Sequence, residues 1–193
     1  MSLHQSESNE KTFIAGCGKV LFLDVDGVLN SEATFKENHL ASQKAKRAAD
    51  FDKIAHAREF FHPLGHINTT LVGRLNRIVR ETGCKIVISS SWRILYGVET
   101  MRGFLTQRGF EFADSIIDRT GSNSKDARGG EIQDWLDAHP EVKNYVILDD
   151  DAQDIVGDYT TKTHPNNFVH TRWTTGLQDE HAEQAIKILN KNI

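Results

Sequence analysis

The chain has 193 residues, of which 38% are hydrophobic and 26% are charged, and its formal net charge at pH 7 is -4. This length and balance predict one globular domain around a single substantial core and exclude an intrinsically disordered chain. The negative charge argues against tight binding along a nucleic-acid duplex, and the apolar runs are far shorter than the roughly 20 residues of a membrane-spanning helix.

The chain begins with a polar stretch that we predict to be a flexible tail over residues 1–18. It carries Glu7 and Glu10 where a signal peptide has a basic start followed by an apolar run. The two cysteines, Cys17 and Cys84, lie far apart, which suits neither a metal site nor a disulfide scaffold. These features predict a cytoplasmic protein without a membrane partner.

Four short and continuous apolar runs predict buried parallel strands. They are Lys19–Leu23, Lys85–Ile88, 145–148 and Phe168–His170. Helical periodicity follows at 70–81, in a segment that starts after Gly130 and ends near Pro140, and at 179–189. Strands that alternate with helices predict an α/β fold, a doubly wound Rossmann-like parallel sheet with helices on both faces. We take residues 19–193 as one domain.

Residues 31–68 do not follow this rhythm. They contain a charged helical stretch at 36–58 and then Phe60-Phe-His-Pro-Leu-Gly65. A small helical insertion directly after the first strand would overhang the carboxyl edge of the sheet, where ligands bind in such folds. We therefore predict a cap or lid at 31–68, with a solvated helical hairpin as the alternative.

Two aspartates follow the first predicted strand, in the order Asp24-Val-Asp26-Gly27. Carboxylates two residues apart leave a continuing strand on the same side, and Gly27 permits a sharp turn. Two negative charges at a buried edge are costly unless a cation or a shared proton relieves them. The pair therefore indicates a functional site that holds a cation or a shared proton. A plain Asp-Gly turn is the alternative.

A second acidic cluster follows the run 145–148. It comprises Asp149, Asp150 and Asp151, with Asp154 one helical turn later. Carboxylate oxygens are ligands for hard cations such as Mg²⁺. Because both clusters follow strands, we expect them at the same edge of the sheet. Helix N-capping by one acid is the alternative reading.

Donors that suit a phosphate group occur at two further places. Ser89 and Ser90 follow the second predicted strand, and Lys125 and Arg128 precede a helix. A simple turn and a surface position are the alternatives for these residues. We interpret Trp92, Trp135 and Trp173 as core residues or pocket walls.

In chain order these motifs resemble those of the haloacid dehalogenase (HAD) superfamily. That family carries Asp-x-Asp-Gly after the first strand, then Ser or Thr, then Lys or Arg, then an acidic pair. Here the matching residues are Asp24/Asp26, Ser89, Arg128 or Lys125, and Asp149/Asp150. More narrowly, the segments 88–93, 128–136, 146–151 and 168–177 resemble the small HAD domains of Swiss army knife RNA-repair proteins.

The resemblance implies a Mg²⁺-dependent phosphohydrolase that attacks a phosphomonoester through an aspartyl phosphate. Asp24 would be the nucleophile and Asp26 the general acid and base. The implied Mg²⁺ ligands are Asp24, Asp26 through its backbone carbonyl, and either Asp149 or Asp150. The implied phosphate-binding residues are Ser89, Ser90, Lys125 and Arg128, of which Ser89 and Arg128 also assist catalysis. Asp151 and Asp154 would orient the metal site.

The substrate stays open, because a nucleotide, a nucleic-acid terminal phosphate or another small phosphorylated molecule would meet the same core. A catalytically silent HAD-like domain that binds nucleotide or RNA ends is one alternative. A receiver-type phosphoacceptor module is a weaker one, because a receiver ends its motif order with Lys, whereas here the last motif, Asp149-Asp150, is acidic. The oligomeric state is not predicted.

Overall fold

The computed structural model describes residues 18–47, 63–122 and 126–191. Within these ranges, five parallel strands form one sheet in the order β3-β2-β1-β4-β5. Their bounds are β1 Lys19–Leu23, β2 Lys85–Ile88, β3 Ile116–Arg119, β4 Asn144–Asp149 and β5 Phe168–His170. The four predicted strands are confirmed, and so is the doubly wound α/β fold.

The helices of the described residues follow the predicted alternation. They are α1 Glu32–Arg47, α2 Pro63–His66, α3 Thr69–Thr82, α4 Val98–Gln107, α5 Arg128–Ala138, α6 Ala152–Ile155 and α7 Asp179–Leu189, with 3₁₀ turns at Ser91–Ile94 and Ala113–Ser115. The predictions for α3 and α7 are confirmed to within one residue at each end. Helix α5 is confirmed, but it begins at Arg128, before the predicted start after Gly130, so Arg128 lies in its first turn and does not precede it.

Local caps explain why α3 is easily read from the sequence. The Asn68 side chain accepts hydrogen bonds from the backbone N–H groups of Thr70 and Leu71, at 2.9 and 3.3 Å. At the other end, Gly83 adopts a left-handed conformation with φ of 66° and donates its N–H to the Val79 carbonyl. These interactions satisfy backbone groups that a helix end would otherwise leave unpaired.

The crossover formed by α4 and β3 is absent from the prediction. Strand β3 lies at the edge of the sheet and spans only four residues, half of them charged, Asp118 and Arg119. Its run of apolar residues is therefore too short to predict a strand. The Asp118 carboxylate accepts a hydrogen bond of 2.6 Å from the Trp135 indole of the following helix α5.

The sheet is covered on both faces, as the fold requires. Along β1, Leu21 and Leu23 face a core that includes apolar side chains of α3, α4 and α7, whereas Val20 and Phe22 face a second core with side chains of α5 and α6. Side chains of a strand alternate between faces, so a strand that is apolar throughout is buried on both sides. This leaves the ends of the strands for the site.

Of the predicted insertion at 31–68, the structure describes α1, α2 and the residues beside them, while residues 48–62 lie outside the described part of the chain. Its function as a lid stays a prediction. Apart from Gly18, the predicted N-terminal tail also lies outside the described residues. Among the helices that are described, none has the length and apolar character needed to cross a membrane.

Candidate active site

The carboxyl ends of the three central strands bring the predicted motifs together. Leu23 of β1 pairs with Ile88 of β2 on one side and Leu148 of β4 on the other. The next residues, Asp24, Ser89 and Asp149, therefore lie in one row at this edge. Backbone bonds continue the sheet there, since the Asp24 N–H donates to the Leu148 carbonyl and the Ser89 N–H to the Leu23 carbonyl, both at 3.0 Å.

Three of the predicted carboxylates form a compact group. Asp24, Asp149 and Asp150 each offer one oxygen, and these oxygens lie within 4.8 Å of one another. Asp24 and Asp149 are buried and Asp150 is half-buried. Burial, followed by the charge of Asp24, raises the pKa of Asp149 to about 7 and that of Asp150 to about 6. The crowding of negative charge expected from the sequence is therefore present.

Gly27 makes room for this group. It has a φ of 69°, and a Cβ at this position would overlap the Asp150 carboxyl. A residue with a side chain would be both strained and obstructed, because positive φ favours glycine. The Asp-x-Asp-Gly motif thus needs its glycine so that the acid from β4 can pack against the turn after β1.

Arg128 is the cation of this edge among the described residues near the acids. Its Nη1 lies 3.3 Å from Asp24 Oδ2 and also donates to Asp149 Oδ2. Its side chain is only 14% exposed. Burial acts to lower the Arg128 pKa, but the charges of Asp24 and Asp149 outweigh burial and raise it. Arg128 therefore stays charged and offsets part of the negative charge.

The start of α5, which carries Arg128, is held by the loop before β5. Asp126 accepts hydrogen bonds from the Thr161 N–H and hydroxyl, at 3.1 and 2.6 Å. A Cβ at Gly130 would overlap the Asp126 side chain. The buried His164 ring lies 2.9 Å from the Gly129 carbonyl. These contacts fix the first turn of α5 and with it the base of the Arg128 side chain.

Asp26 stands apart from the three clustered acids, and both of its carboxylate oxygens have donors. The Asn30 side-chain amide donates to Oδ1 at 2.7 Å, and the Trp92 indole N–H donates to Oδ2 at 2.9 Å. The Asn30 amide oxygen also accepts the Gly27 N–H at 2.9 Å. The half-buried Asp26 carboxyl is thus held in one orientation beside the nucleophile candidate.

The loop after β2 carries two serines whose hydroxyl groups have different surroundings. The Ser89 hydroxyl is fully buried and has no hydrogen-bond partner within the described part of the chain. The Ser90 hydroxyl instead accepts the Trp92 N–H at 3.3 Å, and after Arg128 it also opposes the rise in the Asp24 pKa that burial causes. A buried hydroxyl without a partner is costly, so Ser89 has the character of a ligand-binding group.

A buried ion pair, which we did not predict from the sequence, supports this loop. Arg93 donates to the Ser89 and Ser90 carbonyls at 2.7 and 2.8 Å, and it forms a salt bridge with Glu131 of α5. Burial acts to lower the Arg93 pKa, while the Glu131 charge opposes this. Arg93 and Glu131 lie in the motif segments 88–93 and 128–136. Their place in these segments is the feature of the sequence that could have indicated the pair.

The predicted site also includes Asp151 and Asp154, which follow the acids at the end of β4. Asp151 caps α6, because its carboxylate accepts the N–H groups of Gln153 and Asp154, at 2.9 and 3.3 Å. Burial and the charge of Asp151 raise the Asp154 pKa. Lys125, the alternative to Arg128, lies outside the described residues. Trp92 lies in the segment 88–93 and Asn30 follows the Asp24–Gly27 motif, but the sequence did not indicate that they hold Asp26.

The donor set fits a hard divalent cation. Asp24, Asp149 and Asp150 supply only oxygen ligands, which suits Mg²⁺. Their raised pKa values show that the fold disfavours three ionised carboxylates without further positive charge. The Asp26 carboxylate is not in this group, so any contribution of Asp26 to the metal is expected through its backbone carbonyl.

We expect the metal-free protein to lose stability as the pH rises from about 4 to about 7. An ordinary Asp has a pKa of 3.8, whereas those of Asp149 and Asp150 are about 7 and about 6 in the folded chain. The folded state therefore holds protons that the unfolded state has released, and linkage makes stability fall with pH across this window. Mg²⁺ requires the ionised carboxylates, so the stabilisation it provides should grow over the same range.

The measurement is the thermal unfolding midpoint at a series of pH values, with Mg²⁺ or with EDTA. We expect Asp149→Asn to flatten the pH dependence in EDTA and Asp134→Asn, an exposed carboxylate on α5, to leave it unchanged. A Mg²⁺-induced rise of at least about 3 °C would correspond to ~1 kcal/mol in a chain of this size. A rise that is independent of pH and persists in Asp150→Asn would contradict the binding of Mg²⁺ by these carboxylates.

Comparison with known proteins identifies the family of this chain. A family model described as the HAD domain in Swiss Army Knife RNA repair proteins matches residues 20–182. No curated protein matches the chain significantly, and no solved structure does. Apart from Lys19, the matched segment contains the five strands of the described residues, and it includes Asp24, Asp26, Ser89, Arg128 and the Asp149-Asp150 pair. The chain therefore belongs to the family of HAD domains in Swiss Army Knife RNA repair proteins.

Proposed function

We propose that this chain is a Mg²⁺-dependent phosphohydrolase that removes the terminal phosphate of a nucleotide or a nucleic-acid end. The observation that carries the proposal is the buried Asp24 carboxylate, grouped with Asp149 and Asp150 and paired with Arg128 at 3.3 Å. The family description, which names RNA repair proteins, supports a nucleic-acid phosphate as the substrate class.

In the first step an Asp24 carboxylate oxygen attacks the phosphorus of the substrate. The new bond from this oxygen to phosphorus forms while the bond from phosphorus to the leaving oxygen breaks, which gives an aspartyl phosphate. The Ser90 hydroxyl and Arg128 both favour the ionised form of Asp24 that this attack requires. A covalent intermediate divides one difficult displacement into two easier ones.

Asp26 moves the protons in both steps. It gives a proton to the leaving oxygen as that bond breaks, and it then takes one from the water that attacks the aspartyl phosphate. This second displacement releases inorganic phosphate and restores the Asp24 carboxylate. Asn30 and Trp92 hold the two Asp26 oxygens in place. Proton transfer by a positioned group typically contributes about 10²–10⁴-fold.

The phosphoryl oxygens are held by groups that already lie at this edge. The unpartnered Ser89 hydroxyl donates to one oxygen, and Arg128 offsets charge as the transition state develops. When bound, Mg²⁺ would reduce the repulsion between the anionic nucleophile and the anionic phosphate. Lys125 remains a second candidate for a phosphate-binding cation.

Between the two acids after β4, we propose Asp150 as the direct metal ligand. Both Asp149 oxygens already have protein partners, since Oδ2 accepts from Arg128 and Oδ1 accepts the Asp151 N–H at 2.9 Å. The Asp150 carboxyl lies against Gly27, the residue that ends the first motif. Asp149 then acts by holding Arg128 beside Asp24.

The proposal is tested by measuring release of inorganic phosphate with Mg²⁺ or with EDTA. The substrates are p-nitrophenyl phosphate, nucleoside 3′- and 5′-monophosphates, and oligonucleotides phosphorylated at either end. We expect Mg²⁺-dependent release with a preference for the nucleotide substrates. Absence of release from every substrate would contradict the proposal and favour a silent binding domain.

A further inference from the structure

Three aromatic side chains form a continuous surface outside the catalytic group. Phe35 of α1 lies between His66 of α2 and Trp173, which follows β5. The Phe35 and His66 ring centroids are 4.6 Å apart, and those of Phe35 and Trp173 are 5.5 Å apart, with interplanar angles of 36° and 34°. We refer to Phe35, His66 and Trp173 as the aromatic trio.

The aromatic trio lies beside the candidate active site. All three residues belong to segments that leave the carboxyl edge of the sheet. At one end, the Asn68 N–H, two residues after His66, donates to the Leu29 carbonyl at 2.8 Å, next to Asn30 of the site. At the other end, the Thr171 N–H, two residues before Trp173, donates to the Asp149 carbonyl at 2.9 Å.

The position of Trp173 is held by the backbone, and its ring is open to solvent. The Trp173 carbonyl accepts the Glu32 N–H at 2.8 Å, which ties it to the start of α1. Its side chain is nevertheless 43% exposed, so Trp173 is not the core residue that one reading of the sequence allowed. The His66 Nδ1 atom is buried and has no hydrogen-bond partner among the described residues.

We propose that the aromatic trio binds the base of a nucleotide substrate, with Trp173 as the stacking ring. This inference rests on the proposed function for the phosphate itself and adds the recognition of the leaving group. The exposed Trp173 indole, which packs against Phe35, suits a planar heterocycle, because the face of any base can stack on an aromatic ring.

The experiment compares ligands with and without a base, and it does not require turnover. Binding of adenosine 3′- and 5′-monophosphate and of ribose 5-phosphate is measured by calorimetry with Mg²⁺ in the Asp24→Asn background, which prevents hydrolysis. We expect the nucleotides to bind about tenfold more tightly than the base-free phosphate, since stacking of one base on an aromatic ring is of this order. Adding Trp173→Ala should remove this difference.

Two matched variants complete the comparison. Trp173→Phe keeps a flat ring and should retain most of the preference for nucleotides. Tyr159→Ala removes another exposed aromatic side chain, 68% exposed and outside the aromatic trio, and should leave both affinities unchanged.

The outcomes separate this inference from the proposed function. Nucleotide-specific binding that depends on Trp173 supports the inference even if the wild type releases no phosphate, in which case only the hydrolase proposal fails. Equal affinity for both ligand types, equal weakening of both by Trp173→Ala, or no binding at all would overturn the inference. A lowered unfolding midpoint in Trp173→Ala with an unchanged nucleotide preference would show that the ring has a structural role, and it would overturn the inference too.

Discussion

Asp24→Asn is expected to abolish Mg²⁺-dependent phosphate release while the protein stays folded. The amide cannot attack phosphorus as a carboxylate does, so the rate should fall by about 10³-fold or more. The substitution removes one negative charge from a group of three buried or half-buried carboxylates. Because that charge raises the pKa of both Asp149 and Asp150, its loss should not destabilise the metal-free protein at neutral pH.

The covalent step provides a second measurement. Wild type quenched in acid during turnover of a ³²P-labelled substrate should retain label that hydroxylamine releases, as an acyl phosphate does. Asp24→Asn should retain none. The control is Asp134→Asn, which removes an exposed carboxylate from α5 and should keep both turnover and labelling. Undiminished turnover in Asp24→Asn would exclude Asp24 as the nucleophile.

Arg128→Gln is expected to reduce both activity and stability. The guanidinium pairs with Asp24 at 3.3 Å and with Asp149, and its side chain is 14% exposed. Removing one partner from a buried ion pair leaves the other charge uncompensated, at a cost of about 3–5 kcal/mol. Loss of one electrostatic donor to the transition state typically lowers kcat by about 10²–10³-fold.

The loss of stability should depend on pH, and its direction follows from the acids. Without Arg128 the pKa values of Asp24 and Asp149 rise further, because Arg128 is the cation that opposes their rise. At low pH these acids take up protons and the missing charge costs little. As the pH rises they must ionise without a partner, so the destabilisation should be larger at about pH 8 than at about pH 5.

Urea unfolding in EDTA at both pH values measures this effect. Arg80→Gln is the matched control, since Arg80 pairs with Glu111 at 2.7 Å but both side chains are more than half exposed, at 53% and 58%. We expect it to cost less than about 1 kcal/mol at either pH. Adding Asp149→Asn to Arg128→Gln should recover part of the lost stability. Equal destabilisation by Arg128→Gln and Arg80→Gln would show that the Asp24–Arg128–Asp149 contacts carry no special energy.

Local signals explain which elements the sequence predicted. Strands β1, β2, β4 and β5 are short apolar runs bounded by polar residues, and α3 has its own caps in Asn68 and Gly83. The edge strand β3 has neither feature. Its place depends on pairing with β2 and on contacts between elements, such as the one between Asp118 and Trp135 of α5.

Periodicity and residue order predict the alternation of strands and helices and the carboxyl-edge location of the two acidic motifs, and the order of the motifs indicates the family by resemblance. Those properties follow from periodicity and from residue order, which are local. Other contacts are visible in the folded chain alone: Asn30 and Trp92 hold Asp26, Arg128 lies between Asp24 and Asp149, and Phe35, His66 and Trp173 form one surface. Each of these contacts joins segments from different strand ends or across a turn, and its geometry depends on packing that no single segment encodes.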